Sequence, residues 1–83
     1  MSNARTPYYV AARLAEWAFS DSGITLDRLK LEKLLAEEAN LVGYLPSDKQ
    51  CMEFICGGDD GAPPAQLVRD FPKTNAYLEK EWE

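Results

Sequence analysis

The chain has 83 residues, no histidine and a formal net charge of −5, and 46% of it is apolar, including two Trp, four Tyr and three Phe. That is one small domain with enough apolar mass for a core, which excludes a wholly disordered chain, although a domain this short buries only a little over ~60% of its unfolded surface and is marginally stable. The missing histidine removes the commonest general base and metal ligand, and the acidic balance disfavours general binding to a phosphate backbone.

The charge is unevenly spread. Residues 1–30 carry Arg5, Arg13, Arg28 and Lys30 against Glu16, Asp21 and Asp27, a net +1, so residues 31–83 hold −6. A concentrated acidic half favours a basic protein partner, or serves solubility. No apolar run approaches the ~20 residues of a membrane span, and no signal peptide is visible. A cytoplasmic protein that does not enter a membrane is expected.

In chain order, Ser2-Asn3-Ala4 reads as a cloning scar, so residues 1–5 are set apart as a tag or disordered N-terminus and 6–83 as a single helical domain. Thr6 is a good N-cap and Pro7 suits the first helical position, predicting a helix over Pro7–Ser20. Tyr9, Arg13, Glu16 and Ser20 form its narrow polar stripe. The rest is apolar, an arc wide enough that the helix is either deeply embedded or meets another chain. Trp17 is read as core, or as an interface anchor. Asp21-Ser22-Gly23 is a turn.

A central helix follows, over Leu26–Val42, with Thr25 as N-cap, Gly43 able to take the left-handed C′ conformation and Pro46 forbidding continuation. At about 100° per residue, Ile24, Leu31, Leu34, Leu35, Ala39 and Val42 share one face, and Leu26, Leu29 and Ala36 form a smaller strip nearly opposite. Such a helix packs on two sides, or docks a partner with its second strip. Glu37 and Glu38 are adjacent and diverge, which marks a solvated flank rather than a catalytic pair.

Ser47-Asp48-Lys49-Gln50 is a capping box, opening a short helix over Asp48–Cys56 with Leu45 poised to staple onto Cys51. If this segment is helical, Cys51 and Cys56 point apart, so buried free thiols are expected rather than a disulfide. Gly57-Gly58-Asp59-Asp60-Gly61 lacks both the Walker pattern and a distal calcium-binding glutamate and reads as a solvated flexible turn. A fourth helix over Pro64–Asp70 ends at Pro72. Thr74 is the expected cap of a last helix, Asn75–Trp82, where Leu78 and Trp82 share a face. The acidic residues at its C-terminal end oppose the helix dipole.

The fold class is therefore all-α, a compact bundle of four to five short helices around the central one. No catalytic residue, metal ligand or cofactor site is expected: the cysteines lack CxxC spacing, and no motif supplies an activated serine.

Arg5-Thr6-Pro7-Tyr8-Tyr9-Val10 followed by Arg13-Leu14-Ala15-Glu16-Trp17 resembles the start of small phage- and prophage-encoded regulatory proteins. Tyr9-Val10-Ala11, then Ile24-Thr25 and Leu29-Lys30-Leu31-Glu32-Lys33-Leu34-Leu35, resembles the front of the Panacea antitoxin domain over about 30 residues. That family is longer, has glutamine where Glu32 stands, and carries an aromatic run absent here. Both resemblances imply a mobile-element protein that acts by binding another protein.

The leading expectation is a small acidic, non-catalytic inhibitor or regulator, anti-defence or antitoxin-like, that occludes a partner's surface. Its partner is another protein with a basic or nucleic-acid-binding surface. Tyr9, Trp17 and Trp82 are its candidate anchors, with Arg13 beside them, and Glu37, Glu38, Glu79 and Glu81 are the steering charges. A second reading is a helix-turn-helix-like nucleic-acid-binding regulator using Arg13, Arg28, Lys30 and Lys33, which the acidic remainder of the chain opposes. A third is a homodimeric structural or assembly module.

Overall fold

Thr6, Asp27 and Ser47 each turn a side-chain oxygen onto the first-turn amides of the helix that follows, and these three caps set the frame. The computed structural model describes residues 6–82. The expected tag or disordered segment, 1–5, lies outside the described residues, as does Glu83. Five helices are formed there: α1 Pro7–Ser22, α2 Arg28–Val42, α3 Asp48–Cys56, α4 Ala65–Asp70 and α5 Pro72–Glu81. The all-α bundle is as expected. No described helix is long and apolar enough to cross a membrane.

Three boundaries differ from the sequence reading by two residues or more. α1 runs two residues further, to the left-handed Gly23, whose N–H donates to the Phe19 carbonyl at 2.9 Å, while the Ile24 N–H donates to the Ala18 carbonyl at 3.4 Å. α2 starts at Arg28, not Leu26, because Asp27 rather than Thr25 caps it: the Asp27 carboxylate accepts the N–H groups of Leu29 at 3.1 Å and Lys30 at 3.2 Å. A charged acceptor also complements the helix dipole, which a hydroxyl does not. The Asp27 N–H donates to the Tyr77 hydroxyl at 2.9 Å, tying the start of α2 to α5. Leu26 is thereby left in the connecting loop, where it is buried.

Most of the wide apolar arc of α1 is taken up by its place between α2 and α3, with Tyr8 and Phe19 left exposed. Val10, Ala11, Leu14, Ala15 and Ala18 are buried there against a core that includes Leu31, Leu35, Cys51 and Phe54. The alanines permit close helix approach. α2 in turn contacts α1 and α5, while Leu29 of its second apolar strip is exposed. The polar stripe of α1 is partly a seam: the Tyr9 hydroxyl donates to Asp48 at 3.3 Å, and Arg13 pairs with Glu16 at 2.6 Å and stands 3.6 Å from Asp48. Asp48 is the first residue of α3.

The third difference is at α5, which begins at Pro72 rather than Asn75. Its flanking residue Phe71 has no capping side chain, and Thr74 sits inside the helix. The orphan amides are met from a distance: Glu38 of α2 accepts the N–H of Lys73 at 2.7 Å, the N–H of Thr74 at 3.0 Å and the Thr74 hydroxyl at 2.7 Å. Glu38 is therefore not on a solvated flank. It is only 3% exposed, and its charge is offset by the positive end of α5 and by three donors. Glu37, next to it, is exposed and lies 3.8 Å from Lys73.

Phe71 is fully buried where α4 meets α5 and packs edge-on to Tyr44, with ring centroids 5.3 Å apart. The Tyr44 hydroxyl donates to Asp70 at 2.6 Å and accepts from Gln66 at 3.2 Å. The hydrogen bond from Tyr44, helped by Arg69, holds the Asp70 carboxyl below its ordinary pKa. Burial, then the bond to Asp70, pushes the Tyr44 hydroxyl above its ordinary value. A depressed carboxylate stabilises the fold above its unfolded pKa, and that stability is lost as pH falls through the folded value. A raised tyrosine stabilises below its unfolded pKa, and that stability is lost as pH rises through the folded value. Tyr44→Phe is thus expected to flatten both the acid and alkaline limbs of stability, read as urea midpoints against pH. An acid limb unchanged from wild type would contradict the assignment.

The cysteines are both free, but only Cys51 is buried. Cys56 ends α3 and is exposed, which corrects the expectation of two buried thiols. Its partial burial, then the neighbouring Asp21 carboxylate, raises the thiol pKa, so it holds less thiolate than an ordinary surface cysteine.

Candidate partner-binding site

α5 presents Asn75, Leu78, Glu79 and Trp82 at helical spacing i, i+3, i+4 and i+7, which puts them on one face. Opposite stand Phe54 and Ile55 from α3, with Pro63 from the loop between α3 and α4. Together these residues line a pocket of about 130 Å³. An apolar cavity of roughly 150 Å³ holds a benzene ring, so this one has room for about one ring or one branched aliphatic side chain. Trp82 is held in place at the rim: its indole N–H donates to the Ser22 hydroxyl at 3.3 Å, and that hydroxyl donates to Asp21 at 2.9 Å. An anchor fixed before binding loses less rotamer freedom on contact.

The wall beside the pocket is acidic. A second, shallower depression shares Pro63 and is bordered by Glu53, Asp59 and Asp60. With Glu79 the two depressions carry four carboxylates, and no lysine or arginine is among the described residues that line them. The loop that carries Asp59 and Asp60 is more tightly built than the expected flexible turn. Gly58 N–H donates to the Ala62 carbonyl at 2.7 Å, Gly61 N–H to the Gly58 carbonyl at 2.9 Å, and Ala62 N–H to the Asp60 carboxylate at 3.1 Å. Gly57 is required: its φ is +88°, and a Cβ there would come within 2.6 Å of the Gly61 backbone.

The residues expected from sequence to contact a partner are scattered by the fold. Trp82 and Glu79 are brought together at the pocket, and Glu81 is exposed on the same last turn without lining it. Tyr9 and Arg13 are engaged in the α1–α3 seam. Trp17 is half-buried and packs against the core, and its indole N–H makes no hydrogen bond among the described residues. Glu37 is paired loosely with Lys73, and Glu38 is withdrawn beneath α5. Glu38 as a steering charge is thus corrected: at helical spacing it falls in the middle of the Leu31–Leu35–Val42 stripe, which carried it inward.

No family model, curated protein or solved structure matches this chain. The site is accordingly read from its own chemistry. Among the described residues, no group of three or more His, Cys, Asp and Glu side chains is placed to hold a metal ion. Asn75, Phe54, Ile55 and Pro63 were not among the residues singled out from sequence. The spacing from Asn75 to Trp82 could have flagged the first, and nothing local marks Pro63.

Proposed function

We propose that this protein is a small acidic binding module that acts without catalysis, docking on a basic protein and occluding the surface it covers. The observation that carries the reading is the α3–α5 pocket, where a pre-positioned Trp82 and an apolar floor stand beside four carboxylates. Apolar anchors at the centre of an interface supply affinity, and surrounding charge steers the encounter and selects the partner. The resemblances of residues 5–17 to phage-encoded regulators and of 9–35 to the Panacea front support placing it among mobile-element inhibitors or antitoxin-like regulators, in the cytoplasm. Two of the four cations assigned to phosphate contacts in the helix-turn-helix reading are engaged within the fold: Arg13 with Glu16 and Asp48, and Lys30 over the Tyr77 ring at 5.3 Å.

The test is an affinity capture from source lysate, with and without nuclease, read by mass spectrometry. The expected result is one basic protein at near-equal stoichiometry, insensitive to nuclease, and lost with the Glu79→Lys/Trp82→Ala double variant. A nuclease-sensitive mixture would instead favour the nucleic-acid reading.

One observation favours self-association as a second reading. Leu29 and Ala36 fall at heptad spacing on α2; Leu29 is 65% exposed, and Ala36 and Ala39 line a groove with Pro7 and Gly43, the residue that caps the helix. A monomer at micromolar concentration in light scattering is expected under the partner-binding reading.

A further inference from the structure

Asn75 is the most telling side chain in the pocket. It is 9% exposed, it lines the cavity, and among the described residues its carboxamide makes no hydrogen bond; its backbone N–H donates to the Phe71 carbonyl as an ordinary helical contact. Its polar atoms are not sealed off as those of Trp17 and Arg13 are, so they open to the cavity. An amide turned to an open cavity is solvated while the pocket is empty and is free to pair with a ligand that displaces that water.

A carboxamide offers an acceptor oxygen and a donor N–H₂ side by side. The group that matches both at once is a peptide unit, with its own N–H and C=O. The neighbouring cavity takes about one apolar side chain; Glu79 lines it, Glu53, Asp59 and Asp60 border the adjoining depression, and no lysine or arginine lines either. Those charges repel a nucleotide's phosphates and attract lysine or arginine. We propose that the α3–α5 pocket binds a lysine- or arginine-rich peptide segment of a partner protein, with one apolar side chain in the cavity and the adjoining peptide group paired to the Asn75 carboxamide. This rests on the partner-binding reading and adds the ligand's form to it.

The experiment pans a random twelve-residue displayed peptide library against the full chain, then titrates the selected peptide into wild type, Asn75→Leu and Asn75→Asp. The expected consensus is one aromatic or branched aliphatic residue flanked by basic ones. The bound peptide shifts the NMR signals of the Asn75 side-chain amide and the Trp82 indole N–H. Asn75→Leu weakens binding at least about tenfold, the equivalent of ~1.4 kcal/mol, while its melting temperature stays level or rises, because an unpaired polar group has been removed. Asn75→Asp separates pairing from charge: weaker binding is expected because the amide donor is lost, and stronger binding overturns the pairing to the carboxamide. An acidic or uncharged consensus, no enrichment at all, or unchanged affinity in both variants overturns the proposal. A captured protein whose binding survives Asn75→Leu overturns this inference alone and leaves the broader reading standing.

Discussion

Glu38→Ala is expected to destabilise the protein by about 3–4 kcal/mol, since hydrogen bonds to a charged group are worth ~1.5–3 kcal/mol each and are not additive. The carboxylate serves the Lys73 and Thr74 amides and the Thr74 hydroxyl together, and α5 has no local cap to replace it. For a domain of this length each kcal/mol moves the melting temperature by roughly 4–8 °C, so a drop of roughly 15–25 °C is expected by calorimetry. Glu38→Gln keeps one acceptor oxygen but turns an N–H₂ toward donors, and it should fall between wild type and alanine. Native-state hydrogen exchange should show the loss first as opening of α5, because α2 keeps its own cap at Asp27. A melting temperature within a few degrees of wild type would contradict the assignment of Glu38 as the distant cap of α5.

Phe71→Ala is the other large effect. Truncating a buried phenylalanine costs ~3–5 kcal/mol through lost transfer energy and the cavity left behind, and edge-on aromatic pairs add roughly 0.5–1.5 kcal/mol. Phe71 is fully buried, packs against Tyr44, and occupies the single residue between α4 and α5. Small domains are stable by only ~5–15 kcal/mol, so the variant should be largely unfolded at modest denaturant. Leu41→Ala is the matched control: Leu41 is 86% exposed, and surface changes of this kind stay within about 0.5 kcal/mol. Urea unfolding followed by circular dichroism reads both, and equal midpoints for the two variants would contradict the placement of Phe71 at the centre of the α4–α5 joint.

The parts of the fold governed by adjacent residues were legible in the sequence. The Ser47–Gln50 capping box is formed as read, Thr6 caps α1 with its hydroxyl 3.0 Å from the Tyr9 N–H, and Gly23 and Gly43 take left-handed conformations at helix ends. The misplaced starts of α2 and α5 share one cause. Asp27 displaced Thr25 as the cap of α2 with Tyr77 holding its own amide, fifty residues away; α5 starts early because Glu38 reaches it from thirty-five residues away. A rule that weighs neighbours within four positions cannot register either partner. The candidate site was legible only at its α5 end, in Glu79 and Trp82. Phe54 and Ile55 pack against the core and also line the pocket, and whether an apolar residue lines a core or a pocket depends on how α3 and α5 meet. Asn75 is hidden in the sequence because Thr74 is the better local cap and would make Asn75 the first helical residue, where a polar side chain needs no explanation. With α5 starting at Pro72, it sits in the helix interior, and its unpaired amide becomes informative.

The most direct test of the binding account is hydrogen exchange of the full chain, alone and with its captured partner in excess. Slowed exchange concentrated in residues 53–63 and the last turns of α5 is the predicted result, with α1 and α2 changed little. Protection confined to the exposed side of α1 or α2, around Phe19, Leu29 or Leu41, would contradict it and move the interface to the opposite reading, a helix face that meets another chain.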